Sequence, residues 1–265
     1  MRFYIMTDME GVSGVVDFDA YCNPSGSFYE KARRLATLEV NAAIQGIRDT
    51  GDHEIVVCDG HGSGAMDIEI LHKAASLIMG RPLDLLFEMG DGHYDGFFMV
   101  GQHAMKGASN ANLDHTFDHI NIKSLSLNGT PIGEAGINAL RAGIFGIPTI
   151  YLSGDVAACE EIKRAIPGIL TCPVKRGITT TSAVCLQPEK AREKIRETAA
   201  LAIRNIHFIR PYKLEPPYEA VFEFNSPDRL KQYANKTYCK TAHENKVHIY
   251  ADSMRELLEK NLWGL

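Results

Sequence analysis

Four short apolar runs, each followed at once by a polar segment containing glycine, punctuate the first 155 residues. Phe3–Met6 runs into Thr7-Asp8-Met9-Glu10-Gly11, and Ile55–Cys58 into Asp59-Gly60-His61-Gly62. Phe97–Val100 runs into Gly101-Gln102-His103, and Thr149–Leu152 into Ser153-Gly154-Asp155. Helical patterns alternate with these runs. In Tyr29–Arg48, residues Ala32, Leu35, Ala36, Val40, Ala43, Ile44 and Ile47 recur at helical spacing, and Gly51 closes the segment. Ala157–Ile166 and Glu189–Ile206 are further amphipathic segments, the second starting just after Pro188. Short β-rich runs alternating with helices predict an α/β fold with a largely parallel sheet flanked by helices.

The last third differs. Pro211, Pro216 and Pro217 mark a connection, Tyr218–Phe224 and Lys246–Tyr250 read as strands, and a short helix follows from Ser253. The expected division is therefore a core domain of residues 1–170 and a smaller C-terminal α+β subdomain of residues 171–265.

With 45% hydrophobic and 23% charged residues, the 265-residue chain has the composition of a globular protein rather than a disordered one. A net charge of −5 offers no electrostatic footprint for nucleic acid or an anionic membrane, so neither is an expected partner. The first residues lack the pattern of a secretory leader, and no stretch approaches the ~20 apolar residues that span a bilayer. Six scattered cysteines without a C-x-x-C pair point to reduced thiols and a cytoplasmic location.

Ligands of open α/β sheets bind beyond the carboxyl ends of the strands, where these Asp, Glu and His residues fall. Each alone also reads as an ordinary turn residue. Asp8 and Glu10 are two apart, so in extended backbone their side chains leave the same face. Packed like charges call for a cation, and imidazole with carboxylate suits zinc or a related first-row metal. A carboxylate shared by two metals recurs in binuclear hydrolases, with Asp8 the natural bridge; a solvated turn is the competing reading. Glu134, among small residues before a helical stretch at Asn138–Ala142, reads either as a ligand or as an acid complementing a helix N-terminus. His115 and His119 are four apart: on a helix they would share a face, and in a polar loop they would be exposed. Asp91-Gly92-His93 is most economically a turn. Neither H-E-x-x-H, a nucleophile elbow, a P-loop nor a G-x-G-x-x-G after the first strand is present.

Taken in order, these segments resemble a known family. Asp8-Met9-Glu10-Gly11-Val12-Ser13-Gly14, Asp59-Gly60-His61, Gly101-Gln102-His103-Ala104 and Gly133-Glu134-Ala135-Gly136-Ile137-Asn138-Ala139 are similar to segments of the DppA-type zinc D-aminopeptidases. The likeness continues through Ser153-Gly154-Asp155, Val174-Lys175 and Ser182-Ala183-Val184-Cys185-Leu186, and weakens after about residue 215. It implies two zinc ions per chain, other first-row divalent metals being possible. Asp8 would bridge them, with Glu10 and His61 completing one site and His103 and Glu134 the other. His115, followed by Thr116, matches the family's catalytic histidine; the segment between His103 and His115 is less well matched, which leaves His119 as a lesser candidate. The resemblance further implies ring-shaped homo-oligomers and an aminopeptidase that removes an N-terminal residue, expected to be a D-amino acid, from short peptides or amides. Alternatives are a metal-dependent amidase or phosphoesterase of other small substrates, and a catalytically silent metal-binding assembly protein.

Overall fold

The computed structural model describes residues 1–260 except residues 84, 233–235, 237, 243 and 244. From the N-terminus the chain forms β1 (Arg2–Thr7), α1 (Tyr29–Arg48), β2 (Glu54–Asp59), β3 (Ala75–Ile78), α2 (Leu85–Gly92) and β4 (Gly96–Gln102). A hairpin of β5 (Ile122–Leu127) and β6 (Thr130–Pro131) leads into α3 (Glu134–Ile144), β7 (Thr149–Asp155) and α4 (Val156–Ala165). Next come β8 (Leu170–Thr179), β9 (Ser182–Cys185) and α5 (Pro188–Arg204). The chain then forms β10 (Tyr218–Phe224), β11 (Cys239–Ala242), β12 (Lys246–Ala251) and α6 (Met254–Glu259).

Seven strands form one sheet in the order β3-β2-β1-β4-β7-β8-β9, parallel throughout except for the antiparallel edge pair β8–β9. The reason lies in composition: β4 and β7 are buried at every position, as strands covered on both faces must be. Helix α1 supplies cover through Ala32, Ala36, Val40, Ala43, Ile44 and Ile47, all buried, and packs along α5. Pro188 opens α5, and the Gln187 side chain accepts from the Glu189 and Lys190 backbone N–H groups. The strand order reverses at β1, which pairs with β2 on one side and β4 on the other. Such a reversal opens a crevice beyond the strand ends, and this is where the site lies.

A second, five-stranded antiparallel sheet has the order β11-β12-β10-β5-β6. In β10, Tyr218, Ala220, Phe222 and Phe224 point to its core while the intervening residues are partly exposed, the alternation of a sheet covered on one face. Sheet membership does not follow the expected boundary at 170/171. β8 and β9 extend the large sheet and α5 packs against it, while β5 and β6 from the middle of the chain pair with the C-terminal strands. Partner choice here depends on long-range pairing, which a local pattern does not encode. Helix α3 joins the two layers: Ala135, Ala139 and Ala142 belong to the large core, Ile137 and Leu140 to the small one. The expected turn at Asp91-Gly92-His93 is instead the end of α2, with His93 leaving it at a φ of 50°. Among the described residues no helix is long and apolar enough to cross a membrane.

Phe98, fully buried in β4, packs edge-on against Phe3 at 5.6 Å and lies 5.4 Å from the Tyr151 ring. Phe98→Ala removes this three-strand contact and should cost about 3–5 kcal/mol. A urea midpoint within error of the parent protein would contradict this account of the core.

Candidate metal centre

Chain topology brings six side chains to the crevice from five segments. Asp8 and Glu10 follow β1, His61 follows β2, His103 follows β4, and Glu134 is the first residue of α3. His115 comes from the irregular segment before β5. Asp8 and Glu10 are already past the strand, in a turn, so the expected extended geometry does not hold. They converge all the same, because the turn folds back on β4. Asp8 N–H donates to Val100 O at 2.9 Å and Gly11 N–H to Gly101 O at 2.7 Å. This approach needs glycine: a Cβ on Gly11 would stand 2.0 Å from Gln102 O, and one on Gly101, at a φ of +81°, 2.2 Å from Asp8 O.

The distances define two clusters sharing Asp8. Its Oδ1 lies 3.4 Å from His61 Nδ1, which is also 3.1 Å from Glu10 Oε2. Its Oδ2 lies 3.3 Å from His103 Nε2, which is 3.3 Å from Glu134 Oε1. His115 Nε2 is 3.7 Å from that same Glu134 oxygen, and the His103 and His115 rings stack at 3.8 Å. Two groups of side chains could therefore each hold a cation: Asp8, Glu10 and His61, and His103, His115 and Glu134.

The hydrogen bonds of the imidazoles test whether metals fit. In each ring one nitrogen meets a backbone carbonyl: His61 Nε2 at Cys22 O (3.1 Å), His103 Nδ1 at Ala104 O (3.0 Å) and His115 Nδ1 at Leu113 O (2.9 Å). Those carbonyls take the ring N–H, which assigns the tautomers and turns the lone pair of the other nitrogen toward carboxylate oxygens. Lone pair facing lone pair is repulsive unless a proton or a metal lies between. Carbonyl-anchored imidazoles of this kind are how proteins orient histidine ligands. Two buried atoms, Glu10 Oε2 and His103 Nε2, have no hydrogen-bond partner, so each keeps a free coordination position. The donor set fits first-row divalent metal.

Electrostatics follow the same logic. Burial pushes the Asp8 carboxyl up, but the facing imidazoles of His103 and His61 outweigh it and hold the group well below the usual carboxylate range. Burial likewise raises Glu134, and His103 brings it down to about 2. Burial lowers His61 and His103, yet Glu10 beside the first and Glu134 beside the second, with Asp8 next to both, raise them well above the ordinary value. His115 is lowered, by burial and then by the neighbouring His103.

Several expectations change in detail. Asp59 accepts from Ala65 N–H (2.8 Å) and Met66 N–H (3.1 Å), shaping the loop that carries His61. Asp155 caps α4 through Ala158 N–H (2.6 Å) and also receives Asn112 N–H (3.2 Å). Neither joins the cluster. The Asp114–His119 segment is not helical, with Leu113 and Phe117 at positive φ, so His115 and His119 do not share a helix face. Phe18, on a π-helical turn (Phe18–Cys22), stacks on His119 at 4.2 Å and meets His115 edge-on at 5.2 Å. Phe18 carried no signal in the sequence. Asn138 had one in the Gly-Glu-x-Gly-x-Asn block: its Oδ1 accepts from the buried Arg141 at 2.6 Å.

A profile of peptidase family M55, described as D-aminopeptidase, matches residues 1–261. A D-aminopeptidase of Bacillus subtilis (strain 168) is 32% identical over 220 residues, covering 82% of this chain and 78% of the relative. The solved structure of the zinc-dependent D-aminopeptidase DppA from Bacillus subtilis, a self-compartmentalizing protease, is also similar. It aligns with a TM-score of 0.89 at 26% identity, over 100% of this chain and 98% of that one.

The pKa directions yield a signed prediction for the metal-free protein. Asp8 and Glu134 are depressed on folding, so their contribution is present above about pH 4.5 and lost as the pH falls toward their folded values. His61 and His103 are raised, so theirs is present below about pH 6.5 and lost as the pH rises through the folded values. His115 has the opposite sign, one group against two. Thermal midpoints of metal-free protein should therefore fall on the alkaline side. Saturating divalent metal should remove or reverse that fall, since metal displaces protons from these ligands. Identical alkaline profiles with and without metal would refute the cation-binding reading.

Proposed function

The chain belongs to peptidase family M55, the D-aminopeptidases, and from that premise we propose that it is a zinc-dependent aminopeptidase using two ions per chain to remove an N-terminal D-residue from short peptides or amides. The observation that carries the two-ion reading is Asp8, whose two oxygens each face a different histidine. In this reading Asp8 would be shared by the two ions, Glu10 and His61 would complete one site, and His103 and Glu134 the other. Three carboxylates offset much of the charge of two dications within a buried site. The chemistry bound zinc supplies is Lewis-acid polarisation of the scissile carbonyl and of the attacking water.

The chain's own part in the reaction falls to His115. Its Nδ1 is engaged by Leu113 O, its Nε2 is the basic nitrogen, and burial with the adjacent His103 keeps the ring neutral near pH 7. Such a group accepts the proton of the attacking water and passes it to the leaving amine. His103 stacked on the ring and Phe18 edge-on to it hold its plane. The comparisons do not favour the phosphoesterase or silent metal-binding readings.

We further place the protein in the cytoplasm as a ring-shaped homo-oligomer. Six free cysteines support a reducing compartment, and the self-compartmentalizing Bacillus subtilis structure supports self-assembly. A single-chain mass by light scattering would overturn the assembly.

The deciding experiment loads the protein with zinc, manganese or cobalt and supplies D-alanyl and L-alanyl dipeptides and amides. Turnover of the D-substrates, with about two equivalents of zinc per chain, is expected; no turnover of any D-substrate would refute the reading. Asp8→Ala should lose most of the metal. His115→Ala should retain both equivalents yet lose on the order of 10²–10³ in rate. Loss of metal from His115→Ala would make the residue a ligand instead, as its place beside His103 and Glu134 also permits.

A further inference from the structure

Beneath the metal centre lies a buried cation with no role in the reaction described so far. Lys175, on β8, is 3% exposed. Its Nζ donates to Glu10 O, to Val15 O at 2.5 Å and to Asn112 Oδ1 at 2.7 Å. All three acceptors are neutral, and all three ammonium protons are used. Burying an ammonium without a carboxylate partner is costly, and three backbone or amide acceptors alone do not require a charge. What singles out the arrangement is where the acceptors come from. Glu10 and Val15 bound the turn that holds Glu10 against His61. Asn112 begins the segment that ends at His115.

Asn112 is equally saturated. Its Nδ2 donates to Val16 O at 3.1 Å and Thr180 O at 2.8 Å, and its backbone N–H donates to Asp155 at 3.2 Å. Leu113 N–H reaches Thr180 O at 2.9 Å, so the His115 segment is also tied to the β8–β9 connection. Lys175 and Asn112 thus form one knot between the two sides of the crevice. One side carries Glu10; the other carries His115.

We propose that Lys175 is a positioning residue, which by gathering Glu10 O, Val15 O and Asn112 Oδ1 on one ammonium sets the Glu10 turn and the His115 segment in register across the metal centre. Its effect on metal and turnover rests on the two-zinc reading above; the tether itself does not. The charge adds a second effect. A positive group directly below the Glu10 backbone stabilises a site crowded with carboxylates before metal arrives.

The test compares Lys175→Met and Asn112→Ala with the parent protein. Amide hydrogen exchange is followed in metal-free protein, zinc affinity by chelator competition, and kinetics on a D-alanyl dipeptide. Lys175→Met should speed exchange in residues 9–16 and 112–116, weaken one of the two zinc equivalents about 10–100-fold, and lower kcat with KM little changed. Asn112→Ala leaves Lys175 on Glu10 and Val15 but also frees Val16 O, so it should speed exchange in residues 112–116 and at most at the Val16 end of residues 9–16, and lower kcat while both zinc affinities hold. Folded Lys175→Met with parental exchange in residues 9–16 and parental zinc affinities would overturn the proposal. If Lys175→Met does not fold, Asn112→Ala decides, and parental exchange in residues 112–116 overturns it. A parent protein that binds no zinc would refute the ligand reading instead, while the exchange measurement still judges the tether.

Discussion

Acceptor facing acceptor is the interaction on which this structure turns. Three carboxylates and three imidazoles share a buried crevice, and one nitrogen of each ring is committed to the carbonyls of Cys22, Ala104 and Leu113, so the other nitrogens meet the carboxylates with only a proton or a metal to relieve the repulsion. A fold tolerates such an arrangement only if its surroundings over-determine it and a cation relieves it. Both conditions shape the neighbourhood. The Asp8–Gly11 turn is bonded to β4, the His61 loop is wrapped around Asp59, and the His115 segment is tied to β8 and β9 through Asn112 and Leu113.

Placement at the reversal of strand order explains why residues so far apart in sequence meet. β1 and β4 are neighbours at the point where the strand order reverses, and the turn after β1 packs against the end of β4, so the side chains that follow both strands meet. Asp8 and His103 stand at that meeting point. β2 lies one strand away and contributes His61, while α3 closes the other side with Glu134 at its first turn. The carboxylate there is complemented by helix N–H groups as well as by His103, and it also accepts from Phe117 N–H at 2.6 Å. Glu134 thus stands both at the start of a helix and within the histidine cluster.

Much of this was legible in the amino-acid sequence, for identifiable reasons. The four apolar runs stood out because strands covered on both faces carry no polar interruption, and Tyr29–Arg48 and Tyr218–Phe224 match their observed bounds because each has one clean periodicity. Asp8, Glu10, His61 and His103 could be singled out because a carboxylate or imidazole near glycine at a strand end is local information, whereas His115 was separated from His119 only by the family resemblance. What was not local was not legible. Asp59 and Asp155 have the same type and setting as Asp8, and only the backbone N–H groups they meet show the first to brace a loop and the second to cap a helix. The His115 loop depends on positive φ at Leu113 and Phe117, residues that give no hint of it. Lys175 sits in an ordinary strand, and its meaning comes entirely from residues more than 60 positions away.

Splitting the small sheet across the chain has a consequence for how the molecule is made. The β5–β6 hairpin is synthesised before β7, β8, β9 and α5, yet its partner β10 comes only after them. At ribosomal rates of about 5–20 residues per second, the hairpin waits on the order of 5–20 s with its pairing edge open. During that interval Ile122, Leu125 and Leu127 have no β10 to cover them. Lys123, Ser124 and Ser126 lie between them along β5, and polar residues at a temporary edge discourage pairing with other nascent chains. Helix α3 draws on both cores, and the cluster that Ile137 and Leu140 share with β10 cannot form until β10 has been made. The small sheet can therefore close only after every strand of the large sheet has been synthesised.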